Sequence, residues 1–426
     1  MIQPIENFIN FINNALTPYH AQALIKERLL QEGFSPLSEL EEWPLSEGGK
    51  YFVERNGSLL AFTVGNVDNF TYKIAASHLD SPALKVKENP FIENAGGCTL
   101  NVERYGGGLW YTFFDRPLKL AGRVVTLENG RVQQTTVESP FFVSIPSLAV
   151  HLQRNASESF SVNAQTDLPP LLSLSKDESK FFSDIAGDKQ VISYDLFAVN
   201  AQLPYSFGLN DEFLAAPRID DLASAYASLE GLLSHAESNG VCMAAFLNNE
   251  EIGSQTLNGA GGDFLEKTLR KIAYSFRFDD SEYDKALVSS FLLSVDNAHA
   301  AHPAHLETTD PTNKTKLGGG VVIKSHAGGA YITDALSSAV VKTVLNRAGV
   351  PYQVYFNRSD MRSGSTLGGA VVTKCGMHGA DIGIAQLGMH SAVESFCKED
   401  LTHLTLGLTA FFSTNLLFEK DGFLID

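Results

Sequence analysis

Five short stretches of this chain place metal-ligand side chains where an apolar run stops or a helix begins. YKIAAS ends at His78-Leu79-Asp80, VCMAAFLN at Glu250-Glu251, FLLSV at Asp296 and IGIAQLG at Met389-His390; Asp220-Asp221 opens a helical pattern ahead of the Glu-Glu run. A carboxylate at an element boundary is ordinarily a cap or a solvated loop residue, so no single stretch makes a site. Together, two His and several carboxylates from separate elements match the nitrogen and oxygen ligands of zinc, and a bridging Asp lets five residues hold two ions. Two such ions, roughly 3.5–4 Å apart, are a common device for hydrolysing amides and phosphate esters.

Side chains at strand ends need a sheet to bring them together. After residue 209, helical patterns alternate with short apolar strands: Leu222, Tyr226, Leu229 and Leu233 at helical spacing, the strand VCMAAFLN, a helix through DFLEKTLRKIAYSF, and the strand FLLSVD. The helix YITDALSSAVVKTVLNRAG, the strands YQVYF and IGIAQLG, and the helix KEDLTHLTLGLTAFFS follow. Buried strands alternating with helices imply an α/β fold with a mixed, largely parallel central sheet covered on both faces. Such sheets bind ligands at the carboxyl ends of their strands, where the candidate residues stand.

Upstream, residues 3 to 31 read as one or two helices, with Thr17-Pro18 as cap and first helical position and Gly33 as the stop. Two alternating runs around Asn56-Gly57 predict a hairpin. From about residue 89 the texture becomes glycine-rich, β-branched and aromatic, which predicts an inserted β-rich domain over 89–208 within a catalytic domain formed by 1–88 and 209–426. Ser173 to Lys189 reads as an exposed loop. The glycine clusters at 318 to 320 and 364 to 369 lack the Lys-Ser/Thr ending of a phosphate loop and read as turns lining a cleft.

Composition narrows the function. The 426 residues carry a formal net charge of −17, which opposes non-specific binding to nucleic acid or an anionic membrane surface. No apolar run reaches the length of a spanning helix, and MIQPIENFINFINNAL lacks the cationic start of a signal peptide. Cys98, Cys242, Cys375 and Cys397 form no close pair, which suits a reducing cytoplasm.

The motifs HLDSP (78 to 82), PRIDDL (217 to 222), NNEEIGS (248 to 254), SVDNAHAAHP (294 to 303), SGSTLG (363 to 368) and GMHS (388 to 391) resemble, in order, those of the aspartyl aminopeptidases, a di-zinc metallopeptidase family. WYTFFDRPLKLAGRV (110 to 124) and IPSLAVHLQRN (145 to 155) extend the resemblance through the insertion. It implies a zinc exopeptidase-like fold with a β-rich dimerisation domain. It also implies two Zn²⁺ per subunit, although Mn²⁺ and Co²⁺ can share such ligands. His78 and Asp296 would hold one ion, Glu251 and His390 the other, and Asp220 would bridge them, with Asp221 its nearest rival. Asp80 would accept the second N–H of His78 and fix its tautomer.

Glu250 would be the general base. Neighbours at a strand end project to opposite sides, so Glu251 can ligate while Glu250 faces the water. Three ligating carboxylates against two divalent ions leave a net charge of about +1 to acidify that water. The resemblance places Lys324 against the acidic side chain of the substrate's first residue, and His151 in a neighbouring subunit's site within a tetrahedral dodecamer. His299 and His302 read as substrate or supporting contacts. Arg362 stands where the family often has Pro or Gly, which puts the shape of that loop in doubt. The expected activity is removal of N-terminal Asp or Glu from peptides; a neutral exopeptidase or deacylase on the same sheet, or a shell-forming scaffold with a vestigial site, are the competing readings.

Overall fold

The computed structural model describes residues 5–68, 70–153, 158–236 and 238–426. Residues 3 and 4 of the expected first helix, and Arg154 and Asn155 of the motif at 145 to 155, lie outside them.

The central sheet has nine strands in the order Ser35–Leu37, Lys50–Arg55, Ser58–Val64, Val241–Leu247, Tyr72–His78, Phe291–Val295, His378–Gly383, Val321–Lys324 and Tyr352–Tyr355. The sheet is mixed and largely parallel, as the alternation of strands and helices implies. Its middle four strands, from Val241–Leu247 to His378–Gly383, are all parallel, so their carboxyl ends meet at one edge. They are apolar along nearly their whole length because both faces are covered. Ala75, Ala244 and Phe246 face one core with Leu222, Val340 and Leu404; Ile74, Ala76, Met243 and Ala245 face another with Phe264, Leu269 and Val371. Asn56 and Gly57, at φ 49° and 88°, close the predicted hairpin.

The N-terminal segment forms two helices, Ile5–Asn14 and Pro18–Gln31. Pro18 opens the second, but the Thr17 hydroxyl pairs with the His20 ring at 2.8 Å instead of capping a helical N–H. Helices Asp280–Val288 and Ala335–Arg347 each begin with a capping box, built on Asp279 with Glu282 and on Asp334 with Ser337.

A second sheet is antiparallel throughout, in the order Arg131–Val143, Leu118–Glu128, Val191–Asn200, Ala83–Asn94, Gly97–Tyr105 and Leu171–Ser173. It has its own core around Leu84, Leu100, Leu120 and Leu196. Its first strand begins at Ala83, ahead of the change of texture at 89, since alternation starts in ALKV. The exposed loop expected over 173 to 189 is instead the end of a strand and a helix, Glu178–Ala186. Asp177 caps that helix through the Lys180 N–H, and Phe181 and Ile185, one turn apart, are its buried side.

IGIAQLG is not one strand. The chain leaves the central sheet after Gly383, and Ala385–Leu387 joins a third sheet, ordered Tyr205–Phe207, Phe213–Ala216, Glu394–Cys397, Ala385–Leu387 and Ala298–His299. The GGG turn at 318 to 320 is held by Asp400, which accepts the Gly318 and Gly320 N–H groups at 2.8 Å.

Candidate active site

His78 closes the strand Tyr72–His78 and is buried. Its ring Nδ1 lies 3.0 Å from the main-chain carbonyl of Asp80 and 3.5 Å from a carboxylate oxygen of the same residue. The carbonyl is the nearer acceptor, with the expected carboxylate partner just beyond it. Facing a carbonyl, Nδ1 acts as the donor, and Nε2 faces Asp220 Oδ1 at 3.6 Å. The Asp80 carboxylate is occupied elsewhere. It accepts the main-chain N–H groups of Glu250 (3.0 Å) and Glu251 (3.1 Å) and the hydroxyl of Tyr105 (2.7 Å).

The two glutamates stand on a short 3₁₀ turn, Glu250–Ile252, entered through Asn249 at φ 65°, so strand alternation is not what separates them. The turn, clamped by Asp80, sends Glu251 toward His390, whose Nε2 is 3.2 Å from Glu251 Oε1 and 3.3 Å from Asp220 Oδ2. The Nδ1 of His390 lies 3.0 Å from the Gly107 carbonyl, so Nε2 is the ring nitrogen turned toward Glu251 and Asp220. Asp220 begins the helix Ile219–Ser234 with non-helical backbone, and a cis peptide joins it to Asp221. Asp296 follows the strand Phe291–Val295. Gly383 runs directly beside it: a Cβ there would meet the Asp296 carbonyl at 2.0 Å.

Two groups of ligand atoms result, each within 4.8 Å of one another: His78, Asp220, Asp221 and Asp296, and Asp220, Glu251 and His390. Asp220 belongs to both; Asp221 belongs to one and accepts the His78 N–H at 3.1 Å. Asp220 Oδ1 and Asp221 Oδ1 are buried without a hydrogen-bond partner among the described residues, and the buried Glu251 Oε1 has only the His390 ring beside it. A buried carboxylate oxygen with no donor is costly unless a cation meets it. This oxygen and nitrogen set fits zinc and its divalent neighbours.

The electrostatics are those of crowded anions. Burial first, then Asp296, Glu251 and Asp80, push the Glu250 carboxyl up to about 8 against the relief from His78. Burial also raises Glu251 and Asp296, the latter opposed by Lys324. Burial alone would lower His390, but its contacts with Asp220 and Glu251 carry it up to about 12.

Lys324 ends its strand fully buried, with Nζ 3.8 Å from Asp296 Oδ2, donating to the Asn297 carbonyl at 3.2 Å and lying 5.2 Å from the centre of the Tyr331 ring. His302 is solvent-exposed and lines a cleft of about 290 Å³ with His299, Tyr355, Arg358 and Arg362. His151 is exposed on a loop of the insertion and belongs to neither ligand group. Tyr105, Gly107 and Glu394 were not among the sequence candidates. The first two stand at and just past the end of the strand Gly97–Tyr105, in a stretch that shows only glycine-rich β texture, and only Glu394, a lone carboxylate in the apolar run VESFC, left a signal.

The model of the "Aminopeptidase I zinc metalloprotease (M18)" family matches residues 11–412. The probable M18 family aminopeptidase 2 of Clostridium acetobutylicum is 37% identical over 406 residues, covering 91% of this chain and 94% of that protein. Among solved structures, Ape4 in its complex with Nbr1 superposes with a TM-score of 0.91 at 32% identity, covering 96% of this chain and 85% of that one. The mApe1 dodecamer of S. cerevisiae superposes with 0.82 at 26%, covering 96% and 95%. With a family model spanning nearly its whole length and relatives of the same fold and size, this chain belongs to the M18 family of aminopeptidases.

Proposed function

We propose that the chain is a dinuclear metallo-aminopeptidase that removes acidic residues from peptide N-termini. The observation that carries this reading is the shared carboxylate: Asp220 contributes to both ligand groups, and its buried Oδ1 makes no hydrogen bond among the described residues. His78 and Asp296 would hold one divalent cation, Glu251 and His390 the other, with Asp220 between them. When bound, the two cations supply Lewis acidity to a water and to the peptide carbonyl it attacks.

The residues do the rest. The Asp80 and Gly107 carbonyls keep both imidazoles in the ligating tautomer, and the Asp80 carboxylate holds the Glu250-Glu251 turn. Glu250 accepts the water's proton as the new C–O bond forms, then returns it to the leaving amine as the C–N bond breaks. Lys324 offers the positive charge against which an acidic first side chain is read, on a chain whose net charge is −17.

Zinc is the expected metal, the cytoplasm the expected compartment and a dodecamer like that of mApe1 the expected assembly, with the insertion at the dimer contact and His151 offered to a neighbour. The exposure of Leu148, Val150 and Leu152 beside His151 supports that contact. The burial of Lys324 against Asp296 favours a second reading, in which this cation serves the metal site and specificity is neutral.

The test joins metal content and hydrolysis on one preparation. Chromogenic N-terminal Asp, Glu, Leu and Ala substrates are compared with and without chelator, alongside Glu250→Gln. About two metals per chain, with Asp and Glu hydrolysis lost to chelator and in the variant, is the expected result. Hydrolysis of Leu or Ala alone would establish the second reading.

A further inference from the structure

Glu394 opens a strand of the third sheet, opposite Ala216, and is buried. Its Oε2 accepts the Asp220 N–H at 2.9 Å, and its Oε1 accepts the His390 N–H at 2.6 Å and the Gln386 side-chain amide at 3.3 Å. One carboxylate thus grips the main chain of two ligand-bearing positions from distant parts of the chain.

Both positions have irregular backbone. His390 sits at φ 64°, a left-handed conformation that a non-glycine residue holds only when its surroundings impose it. Asp220 sits at φ −82° and ψ 110° inside the first turn of a helix. The network continues: Gln386 Oε1 accepts from Asn297 Nδ2 at 2.8 Å, and the same Nδ2 donates to the Ile219 carbonyl at 2.9 Å. Ile219 precedes Asp220, and Asn297 follows Asp296. A carboxylate suits the central place because it accepts on both oxygens and has nothing to donate; a glutamine would turn its NH₂ toward one of the two N–H groups.

We propose that Glu394 is a positioning residue that fixes Asp220 relative to His390 and thereby sets the affinity for at least one of the two cations. The inference rests on the two-cation reading. Partners of this kind hold ligands in place, and their loss weakens metal binding by roughly 10–100-fold.

The test uses the full chain, stripped of metal, and titrates Zn²⁺ in competition with a chromophoric chelator. The melting temperature of each metal-free protein is recorded in parallel. Wild type is expected to take two Zn²⁺. Glu394→Gln is expected to bind at least one of the two Zn²⁺ about 10–100-fold more weakly, with a metal-free melting temperature close to wild type. Two Zn²⁺ bound by the variant with wild-type affinities would overturn the inference alone. A lowered metal-free melting temperature with both affinities intact would overturn it too, since the role would then be structural only. A single Zn²⁺ on wild type would overturn the two-cation reading and the inference with it. If Glu394→Gln does not fold, Glu394→Asp, which keeps the charge but shortens the reach, is decided by the same measurement.

Discussion

At the scale of single residues, the proposed ligands are braced by partners that belong to neither ligand group. Tyr105 is the clearest case: its hydroxyl donates to Asp80 and accepts from Asn249 Nδ2 at 2.9 Å, so it braces the turn of Glu250 and Glu251 from the insertion. Tyr105→Phe is expected to lower kcat by roughly tenfold while leaving metal content unchanged; unaltered kcat would remove it from the catalytic support. Lys324→Met makes two separable predictions. It should cut kcat/KM for an N-terminal Asp substrate by about 100-fold relative to Leu, and, by leaving Asp296 without its buried counter-charge, destabilise the metal-free fold by about 3 kcal/mol or more. Kinetics on both substrates with a denaturation curve separates the two effects. Carboxylates and His at the ends of apolar strands stood out in the sequence because they recur at several separate strand ends, although any one of them alone reads as a cap or a loop residue. Tyr105 and Gly107 did not, because they act through a hydroxyl and a carbonyl that no pattern of residue types marks. The supporting role of Asp80 was legible as a contact with His78, but its main use, as acceptor for two main-chain N–H groups, depended on a 3₁₀ turn that strand alternation does not foretell.

At the scale of elements, the long buried strands and amphipathic helices were legible because their periodicity is sustained. The helix Glu178–Ala186 was hidden because only Phe181 and Ile185 carry its buried side among charged neighbours. The third sheet was hidden because its strands are two to four residues long and its strand order depends on distant segments. One element end also makes a pH prediction. His235, just past the helix Ile219–Ser234, lies 2.8 Å from the Thr63 hydroxyl. Burial, with Lys73 and Lys50 adding to it, lowers the ring from 6.5 to about 4. Between those values the unfolded chain binds a proton that the folded chain refuses, so stability falls as the pH is lowered through that window. Wild type should therefore lose melting temperature relative to His235→Gln on going from about pH 6.5 to about pH 4; parallel curves for the two proteins would refute the assignment.

At the scale of the whole molecule, the proposed metal centre bears on stability and the proposed contact of the insertion on assembly. Crowded anions stabilise the fold only when a cation joins them, so free Zn²⁺ at about 1,000 times its Kd should add about 4 kcal/mol per site. Calorimetry with and without chelator reads this as a rise in melting temperature. The insertion exposes Leu148 at 64% and Leu152 at 76%, and replacing both with Ser should shift the assembly toward smaller species in analytical ultracentrifugation; an unchanged mass would place the subunit contact elsewhere.

The site draws on His78 early in the chain, on Tyr105 and Gly107 from the insertion, on Asp220, Glu251 and Asp296 in the middle, and on His390 and Glu394 late. A ribosome adding about 5–20 residues per second needs roughly 15–60 s to travel from the first of these to the last. Throughout that interval the nascent chain lacks part of the proposed centre, so on the two-cation reading that centre cannot be assembled before His390 and Glu394 have been made.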